Sequence, residues 1–255
     1  MAQKSNNPKQ SKILRQSLVN RFVHWTTALS VILLIITGLG QLPLYTRYNV
    51  TKLPGAAWLG DYFITIKLHY LGALGLIFIA AFHIVYAFAR REFDIFPRKG
   101  DLKESYQIIK AMLTKGQEPA SDKYLAEQRV AYLFIGFSLL LLIATGLIKT
   151  LKNVPGVDLS HSLLYWNTAL HNIGTGLIVF GIIGHLAAFL LKENRPLIPG
   201  MFTGFINREY VKHRHSLWYA KLLYSGEISE SSLEADENLK GDGNSRSNTQ
   251  THTSI

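Results

Sequence analysis

"LHNIGTGLIVFGIIGHLAAFLL", residues 170–191, is apolar, uncharged and glycine-spaced, yet it carries His171 and His185 fourteen residues apart. A bilayer core of about 30 Å is crossed by about 20 apolar residues in a helix, so this stretch is long enough to span. Ionisable side chains are costly there and mark function by default. Fourteen residues turn a helix to within about 40° of four full turns, so the two imidazoles share a face about 21 Å apart along the axis.

The stretch is one of four uncharged apolar runs, at 22–46, 68–89, 130–148 and 159–191, in a chain of 255 residues that is 48% hydrophobic and 17% charged. Each is long enough to cross, so the expected fold is an all-α membrane protein, a bundle of four transmembrane helices. The first run follows 21 mostly polar residues and exceeds the short apolar core of a signal peptide. No small-residue cleavage site follows it, so it is expected to be retained.

A net charge of +10 invites a nucleic-acid reading, but the distribution points elsewhere. Lys and Arg number five up to Arg21, nine across 90–129 and six across 192–224, against two each in 43–66 and 149–170. Twenty against four is a positive-inside bias that places both termini in the cytoplasm of a cell whose inner membrane holds the protein. The basic residues then face anionic membrane lipids, and no nucleic acid is expected. Cysteine is absent, which excludes disulfides, thiolate-held iron–sulfur clusters and covalently attached haem. Three segments are expected: 1–21 as a cytoplasmic lead-in, 22–224 as the bundle with a cytoplasmic tail helix, and 225–255 as a disordered polar end. No short solenoid repeat is present.

Six of nine histidines fall in the runs, five of them inside the expected spans: His24, His69, His83, His171 and His185. His161, His213, His215 and His252 lie at an interface, in the basic tail or in the polar end, and read as ordinary. His69 and His83 repeat the spacing of fourteen seen in His171 and His185. The second and fourth spans run the same way, so His69 and His171 lie near the outer surface. His83 and His185 lie deeper, and His24, on the first span, sits at the cytoplasmic edge. Two histidine layers on facing helices suit two stacked b-type haems with bis-histidine ligation. Gly72, Gly75, Gly174, Gly176, Gly181 and Gly184 would let a flat macrocycle approach the backbone, though small residues also serve ordinary helix packing.

A histidine-dependent ion or proton transporter is the rival from another class, but the runs hold no acids and no mid-span proline. A purely structural anchor leaves the histidine spacing without a cause. From depth alone, His83 is the partner of His185; His24 is the other candidate.

The motifs "NRFVHWTTALS", "KLHYLGALG", "FPRKGDLKESYQIIKAML", "DKYLAEQR" and "GMFTGFINREYVKHRHSLWYAKL" resemble the cytochrome b (gamma) subunits of membrane-bound formate dehydrogenases. The likeness covers most of 18–222 and extends more loosely to hydrogenase-type and b561-type prokaryotic cytochromes b. It implies two b haems, the outer on His69 and His171 and the inner on His24 and His185, leaving His83 over. It also implies an electron-transfer subunit working with an iron–sulfur (beta) subunit and a molybdenum or tungsten catalytic (alpha) subunit. The acceptor would be menaquinone or ubiquinone. Hydrogenase and thiosulfate reductase complexes are the neighbouring alternatives. One departure stands out. The family's K-Y-N-x-G-Q at the quinone reads "KYLAEQ" here, with Leu125 and Glu127 at the two quinone-site positions. Glu127 reads first as a solvated loop glutamate and second as a proton donor. The tail "REYVKHRHSLWY" reads as an interfacial helix, with Trp218 and Tyr219 at headgroup depth, or as a contact for a partner subunit.

Overall fold

The structure is a computed structural model that describes residues 12–114 and 116–229. The chain enters through strand β1 (Lys12–Leu14) and helix α1 (Leu18–Gln41), then turns through the single-turn helix α2 (Leu44–Arg47) into α3 (Tyr62–Arg90). A loop helix, α4 (Asp101–Thr114), leads to α5 (Ala126–Leu151), and α6 (His161–Ala187) returns. The tail holds α7 (Ile198–Thr203), strand β2 (Phe205–Asn207), α8 (Arg208–Arg214) and α9 (Ser216–Tyr224). Residues 1–11 of the lead-in expected at 1–21, and 230–255 of the polar end expected at 225–255, lie outside the described residues.

Four of these helices, at Leu18–Gln41, Tyr62–Arg90, Ala126–Leu151 and His161–Leu190, are long and apolar enough to cross a membrane. Leu71, Leu74, Phe78, Phe137 and Phe180 point outward, a surface suited to lipid rather than water. The chain is a multi-pass membrane protein. Three of the four helices begin where a cap satisfies their first amides, not where charge stops. Ser17 Oγ accepts from Asn20 N at 3.1 Å, Asp61 Oδ1 from Phe63 N at 2.8 Å, and Ser160 Oγ from Leu163 N at 3.3 Å. The helices of the first and second spans therefore start four and six residues earlier than the apolar runs at Phe22 and Leu68; that of the third, which follows Leu125 with no side-chain cap, starts four residues before Val130.

Helix α1 packs along α3, and α5 along α6. Gly72 lies against Leu33 and Leu34, and Gly174 against Leu141 and Leu142, so the glycines on these faces serve close helix approach within each pair. Gly75 meets Ser30, and Gly181 meets Phe134 and Ile135, in the same way. Of the glycines expected beside a macrocycle, Gly176 and Gly184 alone border open space. The pairs close on a shared apolar waist of Val31, Leu76, Ile79 and Ile178, flanked by Leu139 and Ile182.

A small cap closes the end of the bundle from which α1 and α5 start. Strands β1 and β2 pair antiparallel, with Ile13 opposite Ile206. Gly204 takes φ +88° just before β2, where a side chain would also strike Gln16 O. Ile13, Leu197, Ile206, Val211, Trp218, Tyr219 and Leu222 form one buried cluster. This corrects the interfacial reading of the tail: Trp218 and Tyr219 are core residues of the cap. Some of the basic excess is structural too. Arg15, Arg129 and Arg208 are buried. Arg15 Nη2 donates to Lys123 O and to Gln128 Oε1, each at 2.9 Å. Arg214 pairs with Glu118 at 2.9 Å.

His215 corrects a second expectation, being fully buried rather than an ordinary tail residue. Its Nδ1 donates to Asp122 O at 2.7 Å. Burial, with Arg15 adding to it, pulls the imidazole down to about 4. An unfolded chain takes up this proton near pH 6.5, and the folded cap resists until about pH 4. The stability linked to this group is therefore complete above about pH 6.5 and falls as the pH drops toward 4, by on the order of 2–3 kcal/mol. Thermal melts in detergent between pH 7 and 5 are expected to show that slope. His215→Asn keeps an amide for Asp122 O and should flatten it. An unchanged slope in the variant would remove His215 as its source.

Candidate functional site

Two layers of polar side chains lie on either side of the apolar waist. The distal layer, far from the cap, contains His69 on α3 and His171 on α6. Thr37 Oγ1 lies 2.7 Å from Leu33 O and 2.9 Å from His69 Nδ1. A hydroxyl has one proton, and the short contact to its own helix uses it. His69 Nδ1–H is then the donor, which leaves Nε2 with its lone pair free. The same geometry recurs in the other pair. Thr145 Oγ1 lies 2.7 Å from Leu141 O and 2.8 Å from His171 Nδ1. Both threonines are buried. Asn167 Nδ2 donates to Thr145 O at 3.0 Å, fixing the backbone beneath.

The layer next to the cap contains His24, His83 and His185. The rings of His24 and His185 face one another with centroids 6.2 Å apart. A metal–imidazole bond of about 2 Å on each side, plus about 1 Å from nitrogen to ring centre, gives about 6 Å for two imidazoles on opposite sides of one ion. His24 Nδ1 is buried without a hydrogen-bond partner. His185 is held by ring packing on Phe189, centroids 5.6 Å apart. His83 is engaged elsewhere: its Nε2 lies 3.0 Å from Tyr132 OH, and Phe96 packs on that tyrosine. The structure thus brings His24, not His83, to His185.

The two helix pairs are structural equivalents. Thr37 and Thr145, Gly38 and Gly146, and the leucine pairs 33–34 and 141–142 occupy matching places at a constant offset, and so do His69 with His171 and His83 with His185. By the first offset, 108 residues, the counterpart of His24 is Tyr132. The bond between His83 and Tyr132 is therefore the counterpart of the approach between His185 and His24, with tyrosine in place of one imidazole. Sequence reading missed Thr37 and Thr145. The signal is visible afterwards as "ITGLG" and "ATGLI", one in each half.

The donor set suits haem. Among the described residues no cluster of three or more metal-ligating side chains occurs. Imidazole pairs suit an ion whose remaining ligands come from a macrocycle. The two distal imidazoles present a free Nε2, while His24 Nδ1, like His83 Nδ1, is buried without a hydrogen-bond partner.

A family model described as prokaryotic cytochrome b561 matches residues 15–204, about three quarters of the chain. The chain belongs to the prokaryotic cytochrome b561 family. The protein named "Formate dehydrogenase, nitrate-inducible, cytochrome b556(Fdn) subunit" from Escherichia coli (strain K12) is 25% identical to it over 243 residues, 91% of this chain and 99% of the relative. Proteins of the same name from Escherichia coli O157:H7 and Shigella flexneri match equally well. This b561-family chain is thus a membrane-embedded cytochrome b type of protein related to those subunits.

The two residues that break the family's quinone-site pattern in this cytochrome both bury their side-chain ends. Leu125 is wholly buried in the small core beneath α4, with Ile108 and Ala126, so it packs rather than facing a ligand. Glu127, in the first turn of α5, is no solvated glutamate: both carboxylate oxygens are buried without a hydrogen-bond partner.

Proposed function

We propose that this protein is the membrane-anchoring, electron-transferring cytochrome b subunit of a respiratory complex, and that the complex is a formate dehydrogenase. His69 and His171 would hold the outer haem, and His24 and His185 the inner one, with the cap on the cytoplasmic side as the charge bias requires. When bound, the two b haems supply one-electron carriers between an iron–sulfur subunit outside and a quinone inside. The chain's own part is to fix the imidazoles, and to exclude water from between the layers with Val31, Leu76, Ile79 and Ile178. The observation that carries the reading is the approach of His24 to His185 on one side of that waist, with His69 and His171 each held by a threonine on the other.

At the cap, Glu127 is the residue we assign to proton delivery to the quinone. An unpartnered buried carboxyl is an arrangement that packing alone does not need. The Fdn relatives, matched over 99% of their length, favour formate as the donor. They favour an iron–sulfur subunit and a molybdenum or tungsten subunit as partners. The chain itself carries no cysteine for such clusters.

The test is to isolate the tagged chain from its native membrane with whatever co-purifies, and to add formate. Reduction of the b-type absorption by formate, with iron–sulfur and molybdenum or tungsten subunits present, is the expected result. Reduction by hydrogen but not by formate would assign the protein to a hydrogenase complex. In the same preparation, Glu127→Gln should slow quinone reduction about tenfold or more and leave haem content unchanged. An unchanged rate would remove Glu127 from the path.

A further inference from the structure

We propose that Thr37 and Thr145 are positioning residues for the outer haem, and that their one-sided placement sets its potential below that of the inner haem. This rests on the ligand assignment proposed above. Each threonine spends its proton on its own helix, 2.7 Å to Leu33 O and 2.7 Å to Leu141 O. Each therefore accepts from an imidazole Nδ1–H, at 2.9 Å from His69 and 2.8 Å from His171. That bond fixes tautomer and ring orientation together, and it aims Nε2 away from the threonine's helix. It also raises the basicity of Nε2, as partners of ligating histidines do.

A more basic axial ligand favours the ferric state, the more positive of the two, and so lowers the potential. The inner layer lacks the device. His24 Nδ1 is buried without a partner, and His185 is held by ring contacts to His24 and Phe189. The sites corresponding to Thr37 and Thr145 thus buttress both ligands of one haem and neither ligand of the other. The outcome is a downhill step for electrons from the outer layer to the inner, built into two hydroxyl groups. Gly38 and Gly146 belong to the same arrangement. A methyl group at either would sit 3.4 Å from His69 Cε1 or 3.7 Å from His171 Cε1, within van der Waals contact of the ring.

The experiment is an optical redox titration of the full-length protein in detergent, wild type beside Thr37→Val, Thr145→Val, the double variant and Thr37→Ser/Thr145→Ser. The component lost in His171→Ala identifies the outer haem. At the potential that half-reduces the outer haem of wild type, the double Val variant should shift its ferrous-to-ferric ratio about tenfold toward ferrous, equal to about 59 mV for a one-electron couple. The inner component should stay in place, and the Ser variant should titrate as wild type. Loss of the outer haem alone in the Val variants, restored by Ser, would equally support the positioning role. Two haems with unmoved potentials, or equal shifts in both, would overturn the proposal while leaving the ligand assignment standing. No b haem in folded wild-type protein would overturn both.

Discussion

His185→Ala is expected to leave one b haem per chain and to slow reoxidation of that haem by a soluble quinone by a hundredfold or more. His171→Ala is expected to leave one haem that reoxidises at the wild-type rate. The asymmetry follows from the proposed ligand assignment, with the quinone placed at the cap end. His185 belongs to the layer beside the cap, and without it the remaining carrier sits about 21 Å further along the helices, behind the apolar waist. His171 belongs to the distal layer, and its loss leaves the carrier next to the quinone untouched. Loss of a supporting hydrogen bond alone costs 10–100-fold in metal affinity, so removal of the ligand itself should empty the site. Stopped-flow absorption of dithionite-reduced protein mixed with a naphthoquinone reads both variants. Equal slowing in the two would mean that the quinone is not reduced at the cap end.

Arg129→Met is expected to destabilise the protein by about 3–5 kcal/mol, with Asp101→Leu/Arg129→Met recovering most of the loss. Arg129 Nη2 and Nε reach the two oxygens of Asp101 at 2.6 and 2.9 Å, both side chains almost fully buried. Asp101 also accepts from Arg98 N at 2.6 Å, at the start of α4. The arginine holds the Asp101 carboxyl below its usual range, and the Arg98 amide adds to this. Removing one partner strands a buried charge, whereas an apolar pair of similar size fills the space without that cost. The same depression means that the pair's contribution is complete above the unfolded carboxyl value of about 3.9 and is lost as the pH falls below it. Detergent melts and tryptic cleavage in the α4 loop would report the change. A double variant as weak as Arg129→Met would show that the pair contributes more than its charge balance.

The spans and the histidines were legible because each breaks a local rule: a long uncharged run, and an imidazole inside it. The spacing of fourteen placed His69 with His171 and left His83 and His24 competing for His185. Depth favoured His83. What decides the contact in the structure is the neighbour across the bundle, Tyr132, which no spacing on α3 alone reveals. Thr37 and Thr145 were invisible for another reason. A threonine in a membrane helix satisfies itself on its own backbone, and its second role appears only when the paired helix is in place. The tail misled for a third reason. Trp218, Tyr219 and His215 sit among charged residues with no apolar run, a composition that reads as interfacial. Their burial depends on β1, contributed some 200 residues earlier. Glu127 likewise looked solvated until the chain around it closed.

The most direct measurement is the pyridine haemochrome content of purified protein, wild type beside His24→Ala and His83→Ala. Two b haems in wild type, one in His24→Ala and two in His83→Ala are expected from the imidazoles brought together in the layer beside the cap. Loss of a haem in His83→Ala with both kept in His24→Ala would contradict that pairing, and no haem in folded wild type would contradict the cytochrome reading as a whole.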